Sequence, residues 1–235
     1  MRVLGIGAHP DDLEICCGGT LARFAAGGHQ VQMVFICSGN RGSVSIGSDE
    51  MRVIRMQEAT AAARIIGAEM LPGGFVGDLD LWSGETTVRD RVVEVIREAR
   101  PDLILTHGHH DYNPDHLATN ELVLAAMQVA SVPAYETRLP AIAGRVPAYF
   151  FEPMGGVGFV PGDYVDITTT YETKMSMWRC HQSQVEFMER HRQTPTSRII
   201  SVTAEFRGVQ CGVQYAEAFR RNEVYGALPV SRLLP

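Results

Sequence analysis

The stretch Val3-Leu4-Gly5-Ile6-Gly7-Ala8-His9-Pro10-Asp11-Asp12 opens on an apolar run and closes on one histidine and two carboxylates. A short apolar run followed at once by polar, turn-forming residues reads as a buried strand leaving a sheet. Open α/β sheets gather their ligands at the carboxyl ends of their strands, so this run is a candidate metal site. Imidazole nitrogen and carboxylate oxygen both bind zinc, and a catalytic zinc keeps three protein ligands and one open position. His9 and Asp12 are candidates for two of the three, because a tight turn between them points both side chains at one centre. Asp11 then has no coordination duty and is free to act as general base toward an activated water. The competing reading is that Asp11 or Asp12 only caps the helix that follows. Capping accounts for one carboxylate and leaves the histidine unexplained.

The third ligand has to come from another strand, and residues 101–120 supply a dense source of donors. Leu103-Ile104-Leu105 reads as a short buried strand, and the polar residues begin at its carboxyl end, as in the first motif. Four of the eight histidines, at 107, 109, 110 and 116, fall there with several aspartates. Strands expected at 2–8, 31–37, about 70–76 and 102–106 alternate with helices near 16–28, 49–67, 86–100 and 115–130. That alternation predicts an α/β fold: a Rossmann-like, mostly parallel sheet with helices on both faces and right-handed crossovers. The two polar motifs then leave the strands on either side of the switch point, where ligands converge. Beyond these units, residues 132–170 are rich in proline, glycine and β-formers and read as a strand-and-loop extension with another strand pair. A long helix is expected over about 169–192, then a break at 192–197. Tyr215-Ala216-Glu217-Ala218-Phe219-Arg220 reads as a terminal helix with an ordered tail. Nothing calls for a second domain, so residues 1–235 are expected to form one.

The first motif together with Asn113-Pro114-Asp115-His116 resembles the PIG-L/LmbE family of zinc-dependent N-deacetylases, which act on N-acetylglucosamine-containing and related N-acyl substrates. The likeness runs from Val3 to about residue 220. It implies that His9, Asp12 and His116 bind the metal, that Asp11 is the general base and that Asp115 tunes its neighbours. Zn²⁺ is the implied cofactor, and the same nitrogen and oxygen donors also accept Fe²⁺ or another divalent transition metal. Many members carry histidine where this chain has Asn113. An asparagine amide can donate to an oxyanion but cannot supply a proton, which leaves protonation of the departing amine to Asp11, His109 or His110.

The resemblance also implies substrate contacts from Arg55, Asp78 and Ser43, the last in a loop where many relatives carry glutamate at the position of Asn40. Arg55 reads equally as a solvated charge on a helix face. His181 is expected at the pocket rim, or else as a residue that only caps or packs a helix end. Glu14 either supports a ligand or complements the helix dipole. A small-molecule N-acyl substrate and a homo-oligomer are implied partners, with 132–170 as a place for subunit contact.

A formal net charge of -6 argues against nucleic-acid binding. There is no run of about 18 apolar residues to span a membrane, and the short opening run does not resemble a signal peptide, so a cytoplasmic protein is expected. Five cysteines without a Cys-x-x-Cys pair indicate neither a disulfide framework nor a zinc ribbon. Two rival readings stay open. A metal-dependent hydratase or lyase acting on an organic acid could use the same scaffold. A nucleotide-binding module is suggested by Gly5-Ile6-Gly7, but Pro10 stands where the third glycine belongs, and carboxylates stand where a pyrophosphate would sit.

Overall fold

In a computed structural model describing residues 1–224, 228 and 231–235, the opening apolar run is strand β1 (Arg2–Gly7). It lies between two parallel neighbours, β2 (Gln30–Phe35) and β4 (Leu103–Thr106). The register Val3↔Leu103 to Ile6↔Thr106 brings the exits of β1 and β4 side by side. The other strands are β3 (Glu69–Met70), β5 (Ala148–Phe151), β6 (Asp163–Asp166) and β7 (Ala216–Arg221), and the seven-stranded sheet runs β3-β2-β1-β4-β5-β7-β6. The first five strands are mutually parallel, while β7 runs antiparallel to β5 and β6.

Helices cover both faces, as the apolar patterning requires. On one face α1 (Asp12–Ala26), α2 (Ser48–Ile65), α5 (Tyr171–Arg179) and α7 (Thr196–Cys211) pack Phe24, Ala59, Trp178 and Ala204 onto Val3, Leu105 and Phe219. On the other face α3 (Thr86–Ala99) and α4 (Pro114–Ala130) pack Val92, Ile96, Leu122 and Val123 onto Leu4, Ile6 and Ile104. The ends of α3 follow from local chemistry. The Glu85 carboxylate accepts the Thr87 N–H at 3.2 Å, and Arg100 leaves the helix in the left-handed region before Pro101.

Three expectations are corrected. The strand expected at 70–76 shrinks to two residues plus a lone bridge from Val76 to Cys37. Pro72 has no N–H to pair, and Gly73 passes so close to β2 that a Cβ there would lie 2.4 Å from the Phe35 carbonyl oxygen. The helix expected over 169–192 divides into α5, the short α6 (Gln182–Glu186) and a π-helical turn, Phe187–His191. It breaks at His181, whose backbone has ψ 58°. The helix expected at 215–220 is instead strand β7, and the terminal helix is α7, upstream of it. Ala, Glu and Arg favour a helix locally, but pairing with β5 and β6 decides. Part of the tail beyond falls outside the described residues.

Candidate metal centre and its cavity

The turn after β1 is built for close approach. A Cβ on Gly7 would sit 2.9 Å from the Phe35 ring and 3.3 Å from the Asp12 Cβ. Asp11 has φ 130°, a region that side chains rarely adopt, and although it stands at the N-cap of α1 its carboxylate makes no capping hydrogen bond. Asp12 accepts the His9 N–H at 2.6 Å, which closes the turn. Capping by Asp11 is therefore not what the local geometry shows.

From β4, the chain passes through His107 and Asp111 before α4 presents His116 from its first turn. The result is a three-residue donor set. His9 Nδ1 lies 3.3 Å from His116 Nε2, His116 Nε2 lies 3.3 Å from Asp12 Oδ1, and His9 Nδ1 lies 3.6 Å from Asp12 Oδ2. Tetrahedral zinc with ligands at about 2.0–2.1 Å places donor atoms about 3.3–3.4 Å apart, so the residues fit a metal ion. The outer ring nitrogens agree. His9 Nε2–H donates to Asp115 Oδ2 at 2.9 Å and His116 Nδ1–H donates to Asp111 Oδ2 at 2.9 Å. Each bond fixes the tautomer that turns a lone pair inward, as carboxylates do behind metal-binding histidines. Two overlapping triads, His9-Cys37-Asp115 and His107-Asp111-His116, draw on the same histidines and the carboxylates already holding them.

The electrostatics fit a cation. Burial by itself would lower the pKa of both rings, but the carboxylates outweigh it: Asp115 and Asp12 push His9 up to about 10, and Asp12 and Asp111 push His116 up to about 9. Asp12 is held well below its ordinary value, the His116 and His107 imidazoles overcoming its burial. Asp11 goes the other way, to about 6. Its burial dominates and Asp12 adds to it, against the opposing Arg55 guanidinium 3.2 Å away.

Of the four substrate residues named from the sequence, Arg55 and Asp78 line the cavity and Ser43 and His181 do not. Arg55 is buried, not a solvated helix-face charge, and also donates to the Pro10 carbonyl. His181 is fully buried behind the cavity, 3.2 Å from Glu14, and does not reach the rim. Ser43 does not line the cavity; its hydroxyl accepts N–H groups of Ser45 and Ile46 at 3.2 and 3.0 Å. Asp78 does line it, while receiving the Gly39 and Arg41 N–H groups at 2.7 and 3.1 Å. Asn113 lines it too, with its Oδ1 committed to the Asp115 N–H as the cap of α4. His110 lies outside this cavity and, with His109, lines a separate one against Phe150 and Arg220.

Sequence reasoning did not single out His107 or Asp111. His107 is buried, its Nε2 3.1 Å from Asp12 Oδ2 and its ring stacked 4.1 Å from that of His116, and burial lowers its pKa to about 4. Its position directly after the β4 run was the available signal. The cavity over the metal donors measures about 370 Å³, and its far wall comes from 187–196, including Phe187, Met188, Arg192 and Thr194.

The signature of the PIG-L family, described as GlcNAc-PI de-N-acetylase, matches residues 4–127, and the chain belongs to that family. It is 30% identical to the diacetylchitobiose deacetylase of Thermococcus kodakarensis, over 93% of this chain and 82% of that protein. The structure resembles the 4-carboxy-2-hydroxymuconate hydratase of Pseudomonas putida, with a TM-score of 0.81 and 25% identity over 98% of this chain and 100% of that one. It resembles the N,N'-diacetylchitobiose deacetylase of Pyrococcus horikoshii equally closely, at a TM-score of 0.81 and 26% identity over 93% of this chain and 82% of that one. No helix among the described residues is long and apolar enough to cross a membrane.

Proposed function

We propose that this protein, as one domain over residues 1–235, is a zinc-dependent N-deacetylase that releases acetate from an N-acetylglucosamine-type small molecule. The observation that carries the reading is the His9-Asp12-His116 donor set at 3.3–3.6 Å spacing beside the Asp11 carboxylate, which belongs to no donor group and is held by Arg55. Two histidine nitrogens and one carboxylate oxygen, with room for a water, are a donor set that would suit zinc. A divalent metal bound there supplies Lewis-acid polarisation of the acyl carbonyl and acidifies the attacking water.

The chain's own residues do the rest. Asp11, poised near 6 by burial, takes the proton of the attacking water. Arg55 holds that carboxylate in place through its 3.2 Å contact and its bond to Pro10. The amide N–H groups of Asn113, at the cavity wall, are neutral donors for the developing oxyanion. With His110 and His109 in another cavity, the proton for the departing amine returns from Asp11. Asp115 and Asp111 keep both histidine ligands oriented.

A second reading, hydration of an unsaturated organic acid, draws support from the likeness to the Pseudomonas putida hydratase. One experiment separates them. Metal-stripped protein, with and without added Zn²⁺, is given a panel of N-acetylglucosamine derivatives and, separately, conjugated enol acids. Zinc-dependent acetate is the expected result; loss of the conjugated absorbance without acetate from any sugar overturns the deacetylase reading.

A further inference from the structure

The charged groups around the cavity each have a polar partner, with one exception. Among its described lining residues, Asp11 faces Arg55 and Asp12 faces His116. Asp115 faces His9, and Arg41 sits against Asp80 at 2.9 Å. Asp78 is taken up by two backbone N–H groups. Arg192 is the exception: its exposed guanidinium meets no carboxylate among the described residues and lies 5.6 Å from the centre of the Phe187 ring.

The segment carrying it is built as a cover. Its root is fixed where Ser183 donates twice to the Glu58 carboxylate, at 2.8 and 2.6 Å, and where Gln184 donates to the Gly42 carbonyl at 3.0 Å. From there the chain takes a π-helical turn, Phe187–His191, and Gln193 adopts φ 50°. π-Helical turns and left-handed non-glycine residues are uncommon and concentrate at functional sites. The guanidinium lies within cation–π range of the Phe187 ring.

We infer that Arg192 selects substrates bearing an anionic group, a carboxylate or a phosphate, in addition to the N-acylated amine. A cation left unmatched where every neighbouring charge is internally satisfied is completed by an anion brought by the ligand. The planar fork of an arginine suits both oxyanions. The inference rests on the deacetylase reading for its substrate and on Arg192 for its selectivity, and the two are tested apart.

The test measures binding and turnover separately on zinc-loaded protein. Calorimetry gives Kd for glucosamine, glucosamine 6-phosphate, glucosamine 1-phosphate and muramic acid, and acetate release gives kcat/KM for their N-acetyl forms. The wild type, Arg192→Gln and Arg192→Lys are compared. At least one anionic ligand is expected to bind about tenfold or more tightly than glucosamine. Arg192→Gln should bring that ratio to within about twofold of one, and Arg192→Lys should retain part of it. The wild-type ratio should also shrink when salt is raised, a readout that needs no variant to fold. The stronger of the phosphate and carboxylate arms identifies the natural group. A wild-type ratio near one, or a ratio unchanged in Arg192→Gln, overturns the inference. If the ratio and its loss are seen but no acetate appears from any sugar, anion selection stands and deacetylation falls.

Discussion

Asp11 and Asp12 are neighbours in the chain with opposite assignments. Two imidazoles hold Asp12 anionic, whereas burial drives Asp11 up to about 6. A base must be deprotonated to act, so kcat/KM should fall as pH drops below about 6, and a bound cation, which favours the anion, moves that limb lower. A profile flat from pH 7 to pH 4 would contradict the assignment. The histidines give a second test. In metal-free protein the neighbouring carboxylates favour the protonated forms of His9 and His116, so metal competes with protons for this pair. Zinc uptake should therefore release protons, read by calorimetry in buffers of different ionisation enthalpy, and affinity should rise with pH. Asp111→Asn should weaken zinc binding about 10–100-fold by releasing the outer nitrogen of His116. At this scale residue type and strand exit made His9 and Asp12 candidates, whereas His116, in the first turn of α4, stood out only through the family resemblance. Asp111 was not legible, because its role depends on which ring nitrogen it reaches in three dimensions.

Helix α1 is one element in the chain and two in space. It breaks at Cys17, with φ -143°, and its second half restarts at Gly18 and Gly19. The Glu217 carboxylate on β7 receives the Gly19 and Thr20 N–H groups at 2.9 and 2.8 Å, as a cap delivered from 198 residues away. Lys174 closes the arrangement, donating to Glu217 at 2.5 Å and to the Ile15 carbonyl at 2.7 Å. The kink orients the half of α1 that carries Asp12. Glu217→Ala leaves the Lys174 ammonium buried without its carboxylate and should cost about 3–5 kcal/mol, measurable by urea unfolding. A loss within about 0.5 kcal/mol would mean the pair is not structural. Gly19→Ala should also destabilise, since its Cβ would meet Ile167 at 2.8 Å. These elements also mark the limit of local reading. Strands β1, β2 and β4 are apolar runs that declare themselves, but Ala-Glu-Ala-Phe-Arg-Arg declares a helix and becomes β7 only because β5 and β6 offer free edges.

Across the molecule, the sheet order explains why two motifs about a hundred residues apart share one centre. Chain direction diverges from β1 to β2 on one side and continues from β4 to β5 on the other, so the loops after β1 and β4 open into one crevice. The parallel sheet, with the first and fourth strands flanking the switch point, was readable from alternating strands and helices; the antiparallel β7-β6 edge and the cavity wall at 187–196 were not, because long-range packing creates them. A metal that ties β1 to α4 links binding to global stability. Zinc at 100 times its Kd should stabilise the fold by about 2.7 kcal/mol, a rise of roughly 5–10 °C in Tm for a chain of this size. Calorimetry should show that rise for the wild type and for Asp11→Asn, and none for His116→Ala.

The division of labour between Asp11 and the three donors is tested most directly in one sample of Asp11→Asn, assayed for zinc content and acetate release together. The variant should hold about one zinc per chain while turnover falls about 10²–10⁴-fold, the usual contribution of a general base. Wild-type turnover in that zinc-loaded variant would contradict the account.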